Sequence, residues 1–167
     1  MEEYAPIKRT VDLYGFAIDS LNLDLFDDVF TKDVQIILGG TKQWTDREKL
    51  KSDFVTFHES FDATQHVMTS LVYEIEGEIA HAVTYALWLL VRRGAPGGDV
   101  FRAQGWYEDE LVRGGRGWLI TKRLAKITHW EGNRGLAGIA DPDPFGGVTR
   151  MATNSQSMEV IARSRGI

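Results

Sequence analysis

A chain of 167 residues, 43% hydrophobic and 26% charged, can build one globular domain with a sizeable core. Its 24 acidic and 19 basic residues give a net charge of -5, with Lys and Arg scattered along the chain, which argues against a nucleic-acid partner. The absence of cysteine excludes disulfides, a thiolate nucleophile and a sulfur-ligated zinc site.

The opening "MEEYAPIKRT" lacks an apolar signal core, and the longest apolar run, Ala86 to Val91, is too short to span a bilayer. A cytoplasmic protein with no membrane partner is the expectation. From Tyr4 to Leu21, apolar residues at Ile7, Val11, Tyr14, Ile18 and Leu21 step by four and three, the pattern of one buried helical stripe. "DLFDDVF" predicts a short second helix ending before Asp33, with Asp24 as its N-cap, and "VQIIL" reads as a strand. After "GGTKQW", a turn and short extended piece, Thr45 or Asp46 can cap a third helix through Phe57, with Leu50, Phe54 and Phe57 on one face.

The character changes after Asp62. Thr64 to Glu76, Glu78 to Arg93, Val100 to Arg113 and Gly117 to Trp130 are rich in β-branched and aromatic residues and are separated by "EGE", "GAPGG" and "GGRG". Short loops between long strands mean antiparallel hairpins. Helices followed by a strongly twisted sheet give an α+β fold: a cone-shaped curved antiparallel sheet covered by three N-terminal helices, with a pocket inside the curl. The domain is expected over residues 1–132. Residues 133–167 form a Gly/Pro-rich C-terminal tail in which "SMEVIARS" can make a short helix.

Asp19 follows Ile18 and so flanks the buried stripe, on the side of Gly15 and Phe16. It is either a solvated carboxylate or one with a buried partner. His66 opens the first long strand, where alternation puts it with Met68, Ser70 and Val72, opposite Val67, Leu71 and Ile75. It is either a site residue or a strand-end histidine bonded to backbone or water. Arg123 alternates with Leu119, Thr121, Ala125, Ile127 and His129. If that face points inward, Arg123 needs an anion: Asp19, a substrate oxygen or another carboxylate. His58, at the polar end of its helix, reads as solvent facing, and Glu74 and Glu76 as solvated.

The helix "LYGFAIDSLNLDLFDDVFTKDV", the histidine of "TQHVMTS" opening a long strand, and "GWLITKR" together resemble the SnoaL-like branch of the nuclear-transport-factor-2-like superfamily over residues 4 to 130. The nearest members are cofactor-free lyases of the scytalone dehydratase, bile-acid dehydratase and hexachlorocyclohexane dehydrochlorinase type. The resemblance implies a cystatin-like α+β barrel and carries the family aspartate onto Asp19, its histidine onto His66 and its arginine onto Arg123. The sequence departs from scytalone dehydratase in having Ile18 before the aspartate and apolar "ALWLLV" on a middle strand.

On that basis Asp19, His66 and Arg123 are the catalytic candidates, with Asp19 fixing the His66 tautomer, His66 the general base, and Arg123 stabilising developing negative charge. Phe16, Met68, Trp88, Phe101, Trp106 and His129 are the substrate-binding candidates, and the substrate is expected to be small and hydrophobic, with cyclic compounds among the options. No cofactor and no metal is expected: His66, His81 and His129 match no recognised ligand spacing. The expected function is a cofactor-free lyase or isomerase. The alternatives are a non-catalytic assembly module like the small subunit of ring-hydroxylating dioxygenases, and a polyketide cyclase or ligand-binding protein. An apolar outer sheet face with Tyr85, Leu87, Leu89 and Trp106 predicts a homodimer or homotrimer, and the tail could drape over the pocket with Phe145 as a plug.

Overall fold

The computed structural model describes residues 3–38, 42–115, 117–138 and 149–164. Helix α1 spans Tyr4–Asp19, and its spacing of three and four buries Ile7, Val11, Tyr14 and Ile18. The stripe stops there. Leu21, expected to continue it, takes a left-handed backbone with φ 55 and is 45% exposed, so the chain turns away just past Asp19. Leu23–Asp28 is a 3₁₀ stretch and not an α-helix, and its N-cap position is Asn22, not Asp24. The first strand, β1, therefore begins early and spans Phe30–Leu38, followed by the short β2 at Lys42–Trp44. Asp46 caps α2 (Arg47–His58) by accepting the Lys49 N–H at 2.7 Å.

The four long strands follow as expected: β3 (Ala63–Glu76), β4 (Ile79–Val91), β5 (Val100–Gly114) and β6 (Gly117–Gly132), each antiparallel to the next. The sheet order is β2-β1-β6-β5-β4-β3. Strand β1 joins β6 in parallel, with Ile36 opposite Arg123, a pairing that the hairpin signals do not carry.

Bulges in β3 and β6 curl the sheet and reassign its faces. Between Met68 and Leu71, two residues of β3 oppose one of β4. His66 and Met68 consequently share the concave face with Leu71 and Tyr73, whereas strict alternation separates them. Thr121 and Thr128 are the extra residues where β6 slips against β5. Of the residues expected beside Arg123, Ala125 and Ile127 stay on the concave face, while Leu119, Thr121 and His129 leave it. Trp130 turns in to stack on Phe101 at 6.2 Å.

Helices α1 and α2 cover the concave face over the main core. A second cluster of Leu90, Phe101, Ala103, Ile127 and Leu136 closes one end of the cone, Leu136 coming from a 3₁₀ turn at Arg134–Ala137. The convex face carries a helix of its own, α3 (Ser155–Arg163), whose Val160 packs on Val83 and Trp106. The Trp106 Nε1–H donates to Ser157 Oγ at 3.0 Å and to Glu108 Oε1 at 3.1 Å. Trp106 thus backs the sheet and is no pocket wall. Glu74, expected in solvent, is buried beside Arg163, which also pairs with Glu76. Tyr85 and Leu87 stay about half-exposed on this side. Phe145 lies outside the described residues.

Candidate active site

The end of α1 and the start of β3 meet because Gly15 lies against the β3 backbone. A Cβ on Gly15 would stand 2.6 Å from the His66 carbonyl oxygen, so no other residue lets the helix come as close. That approach delivers Asp19 to His66. Asp19 Oδ2 accepts the His66 backbone N–H at 2.7 Å, and Oδ1 meets His66 Nδ1 at 2.8 Å and accepts the Thr64 hydroxyl at 2.8 Å. Burial pushes the Asp19 carboxyl up, but the bonds from the His66 side chain and backbone and from Thr64 outweigh it and hold the group below its usual range. With Nδ1–H engaged by the carboxylate, the His66 lone pair sits on Nε2.

His66 lines a largely apolar cavity of about 330 Å³ between the helices and the concave sheet. Trp88 and Phe101, both expected, line it as well. The other expected wall residues do not: Phe16 is 71% exposed, Met68 is in the main core, Trp106 is under α3, and His129 borders a hollow on the convex side with Gln104. His81 sits opposite Glu74 and Glu110, seven residues along β4 from the Trp88 that faces His66. The three histidines therefore share no site.

Two polar features escape the linear reading. His58 is buried and lines the cavity, because Leu50, Phe54 and His58 extend the inward stripe of α2 in steps of four. Its Nδ1 lies 2.8 Å from the Phe54 carbonyl oxygen, to which only Nδ1–H can donate. Burial pushes its pKa down to about 4, so the ring is neutral at physiological pH. The second feature is a pair of phenols. Tyr14 of α1 and Tyr107 of β5 meet edge to face at 5.6 Å, both lining the cavity, and the Trp88 Nε1–H donates to the Tyr107 hydroxyl. Burial raises both phenol pKa values, so both keep their protons.

Arg123 points inward, as its odd position in the strand suggested, but its anion is Asp109 and not Asp19. Nε and Nη2 donate to the two Asp109 oxygens at 2.7 Å each, and both residues are wholly buried. The guanidinium lies 4.3 Å from the Tyr14 ring centre and 4.2 Å from that of Tyr107, and among the described residues its Nη1 has no hydrogen-bond partner. The ring faces take that role. Arg123 therefore stands behind the phenols and does not itself line the cavity.

α-Helices packed over the concave face of a curled sheet, with an apolar cavity between them, define a class of α+β barrels. Residues 1–124 match the SnoaL-like domain, and the chain belongs to that family. Among solved structures, the Kfla4162 protein of Kribbella flavida is 22% identical, with 82% of this chain and 97% of that one covered and a TM-score of 0.75. A Novosphingobium aromaticivorans protein provisionally designated a scytalone dehydratase is 16% identical, over 88% and 95%, with a TM-score of 0.74. A type 2 hexachlorocyclohexane dehydrochlorinase is likewise 16% identical, over 78% and 88%, with a TM-score of 0.66. At these identities the likeness is one of fold. No curated protein matches the sequence. Among the described residues no helix is long and apolar enough to cross a membrane.

Proposed function

We propose that this protein is a cofactor-independent lyase or isomerase that removes a proton from a small hydrophobic, cyclic substrate. The reading rests on one observation: His66, oriented at 2.8 Å by Asp19, lines an apolar cavity of about 330 Å³. Similar designations among its structural neighbours support it. His66 Nε2 takes a proton from a carbon next to a carbonyl, and the released electron pair moves onto the carbonyl oxygen. Asp19 stabilises the imidazolium so formed. A phenol O–H of Tyr14 or Tyr107 donates to the developing enolate, and Arg123 acts from behind the rings by easing the build-up of charge. The enolate then either expels a leaving group from the next carbon, which is elimination, or regains a proton elsewhere, which is isomerisation.

The chemistry can be tested before the substrate is known. Exchange of the α-protons of 2-tetralone in D₂O, followed by NMR, reports proton abstraction by a positioned base. Asp19→Asn and His66→Gln are each expected to slow the enzyme-dependent exchange by about 10²-fold or more with the fold intact by circular dichroism. Exchange by either variant at the wild-type rate would exclude the dyad, and exchange no faster than in buffer for all three proteins would favour a ligand carrier with the same cavity.

A further inference from the structure

The cavity holds a second imidazole that the proton-transfer scheme leaves idle. His58 and His66 face each other with ring centres 5.6 Å apart and planes tilted by 60°. His66 has a carboxylate behind it and can take up a proton. His58 has only a backbone carbonyl behind it, and its other neighbours are the rings of Phe54, Phe57 and Phe61, at 5.3, 4.9 and 6.4 Å. The charged and titratable groups that act on it are His66, Asp19 and Lys42: burial is the largest influence, His66 and Lys42 work with it, and Asp19 and the Phe54 carbonyl oppose it without offsetting it. This ring is a poor base and, with Nδ1–H committed to Phe54, donates nothing to the cavity.

What remains to it is one lone pair on Nε2. Among the described residues no side chain or backbone group donates to that nitrogen. An acceptor fixed in an apolar wall rejects a ligand that offers it nothing, because its desolvation then goes uncompensated. We infer that His58 is a specificity residue: it accepts a hydrogen bond from a hydroxyl on the substrate, near the carbon that loses its proton to His66. The proposal builds on the reading of His66 as the base. It narrows the substrate class to cyclic carbonyl compounds that also carry a hydroxyl, and ranks plain ketones such as 2-tetralone below them as weaker ligands.

Two measurements test it. In wild-type protein, ¹⁵N-edited NMR of the imidazoles is expected to show His58 as the neutral Nδ1–H tautomer with shifts unchanged between pH 8 and pH 5.5. An Nε2–H tautomer, or titration within that range, overturns the proposal whatever the fate of the dyad. The second is a pair of probes, 1-naphthol and 1-methoxynaphthalene, in which a methyl group replaces the hydroxyl proton, and the His58→Phe comparison separates the lost donor from the added bulk. Titration against tryptophan fluorescence is expected to give roughly tenfold tighter binding of the naphthol to wild type, the size of one net hydrogen bond. His58→Phe should abolish the preference and His66→Gln should keep it. A preference that survives in His58→Phe, or that is absent in wild type, overturns the role of His58, while the exchange assay on 2-tetralone reports separately on His66.

Discussion

At the scale of single residues, the two histidines of the cavity differ because of what stands behind each ring. Asp19 holds His66 Nδ1 at 2.8 Å; the Phe54 carbonyl does too little to offset the burial of His58. The difference reaches into stability. An unfolded chain takes up a proton on histidine near pH 6.5, whereas folded His58 does so only near pH 4. Between those values the unfolded state binds more protons, so stability rises with pH through the window and is lost as the pH falls, by at most about 3 kcal/mol. Asp19, whose carboxyl is held low, adds a further loss only below about 3.8. Urea unfolding near pH 7.5 and near pH 5 should show wild type losing about 2 kcal/mol and His58→Phe losing less than half of that. Equal losses in the two proteins would place the titrating group elsewhere. Sequence reasoning found Asp19 and His66 from a motif and a helical stripe. It placed His58 in solvent, although Leu50, Phe54 and His58 are spaced by four, because a histidine at a helix end carries no mark of which side it takes.

At the scale of elements, the contact of α1 with β3 is what assembles the dyad, and Gly15 is its hinge point. Gly15→Ala places a methyl 2.6 Å from backbone that cannot yield without moving the helix or the strand. The expected cost is about 1–3 kcal/mol of stability. A larger effect should fall on 2-tetralone exchange, since Asp19 is carried off with the helix end. A variant with wild-type exchange and wild-type melting would show that α1 has room to spare. The helices and the four long strands were legible because periods of 3.6 and 2 persist over many residues. The bulges were not, since each turns on a single extra residue, such as Thr121 or Thr128, that looks like its neighbours. The slip at Thr128 explains why His129 was expected inside: alternation counted across a bulge gives the wrong face. Trp106 lies on β5, which pairs with β4 in unbroken register, so plain alternation from Phe101 already puts it on the opposite face. Arg123 shows the opposite case. Its charge in an apolar strand signalled an inward anion, and only the identity of Asp109 as the partner needed the register of β5 against β6.

At the scale of the whole molecule, the sheet is covered on both faces: α1 and α2 over the cavity, α3 over Trp106. The segment after Gly132 therefore acts on both sides, through Leu136 at the closed end of the cone and Val160 on the convex face. A chain ending at Gly132 uncovers Trp106, Val83 and the cluster around Phe101 together. It should lose about 3 kcal/mol by the area of apolar surface returned to water, seen as a fall in Tm of roughly 6–12 °C and red-shifted tryptophan emission. An unchanged Tm would mean that the tail packs without contributing.

The parallel seam between β1 and β6 has a consequence for how this chain comes to be. Thr10 of α1 bonds to the Trp118 carbonyl, and Phe30 and Ile36 of β1 lie against Ile120 and Arg123, so these N-terminal segments complete their packing only when β6 has left the ribosome. The meander from β3 to β6 can zip hairpin by hairpin and α1 can dock on β3 beforehand, but the seam of β1 with β6 must wait for a long loop to close. During that interval the edge of β1 away from β2 is bare, which makes this part of the nascent protein the natural client of a chaperone.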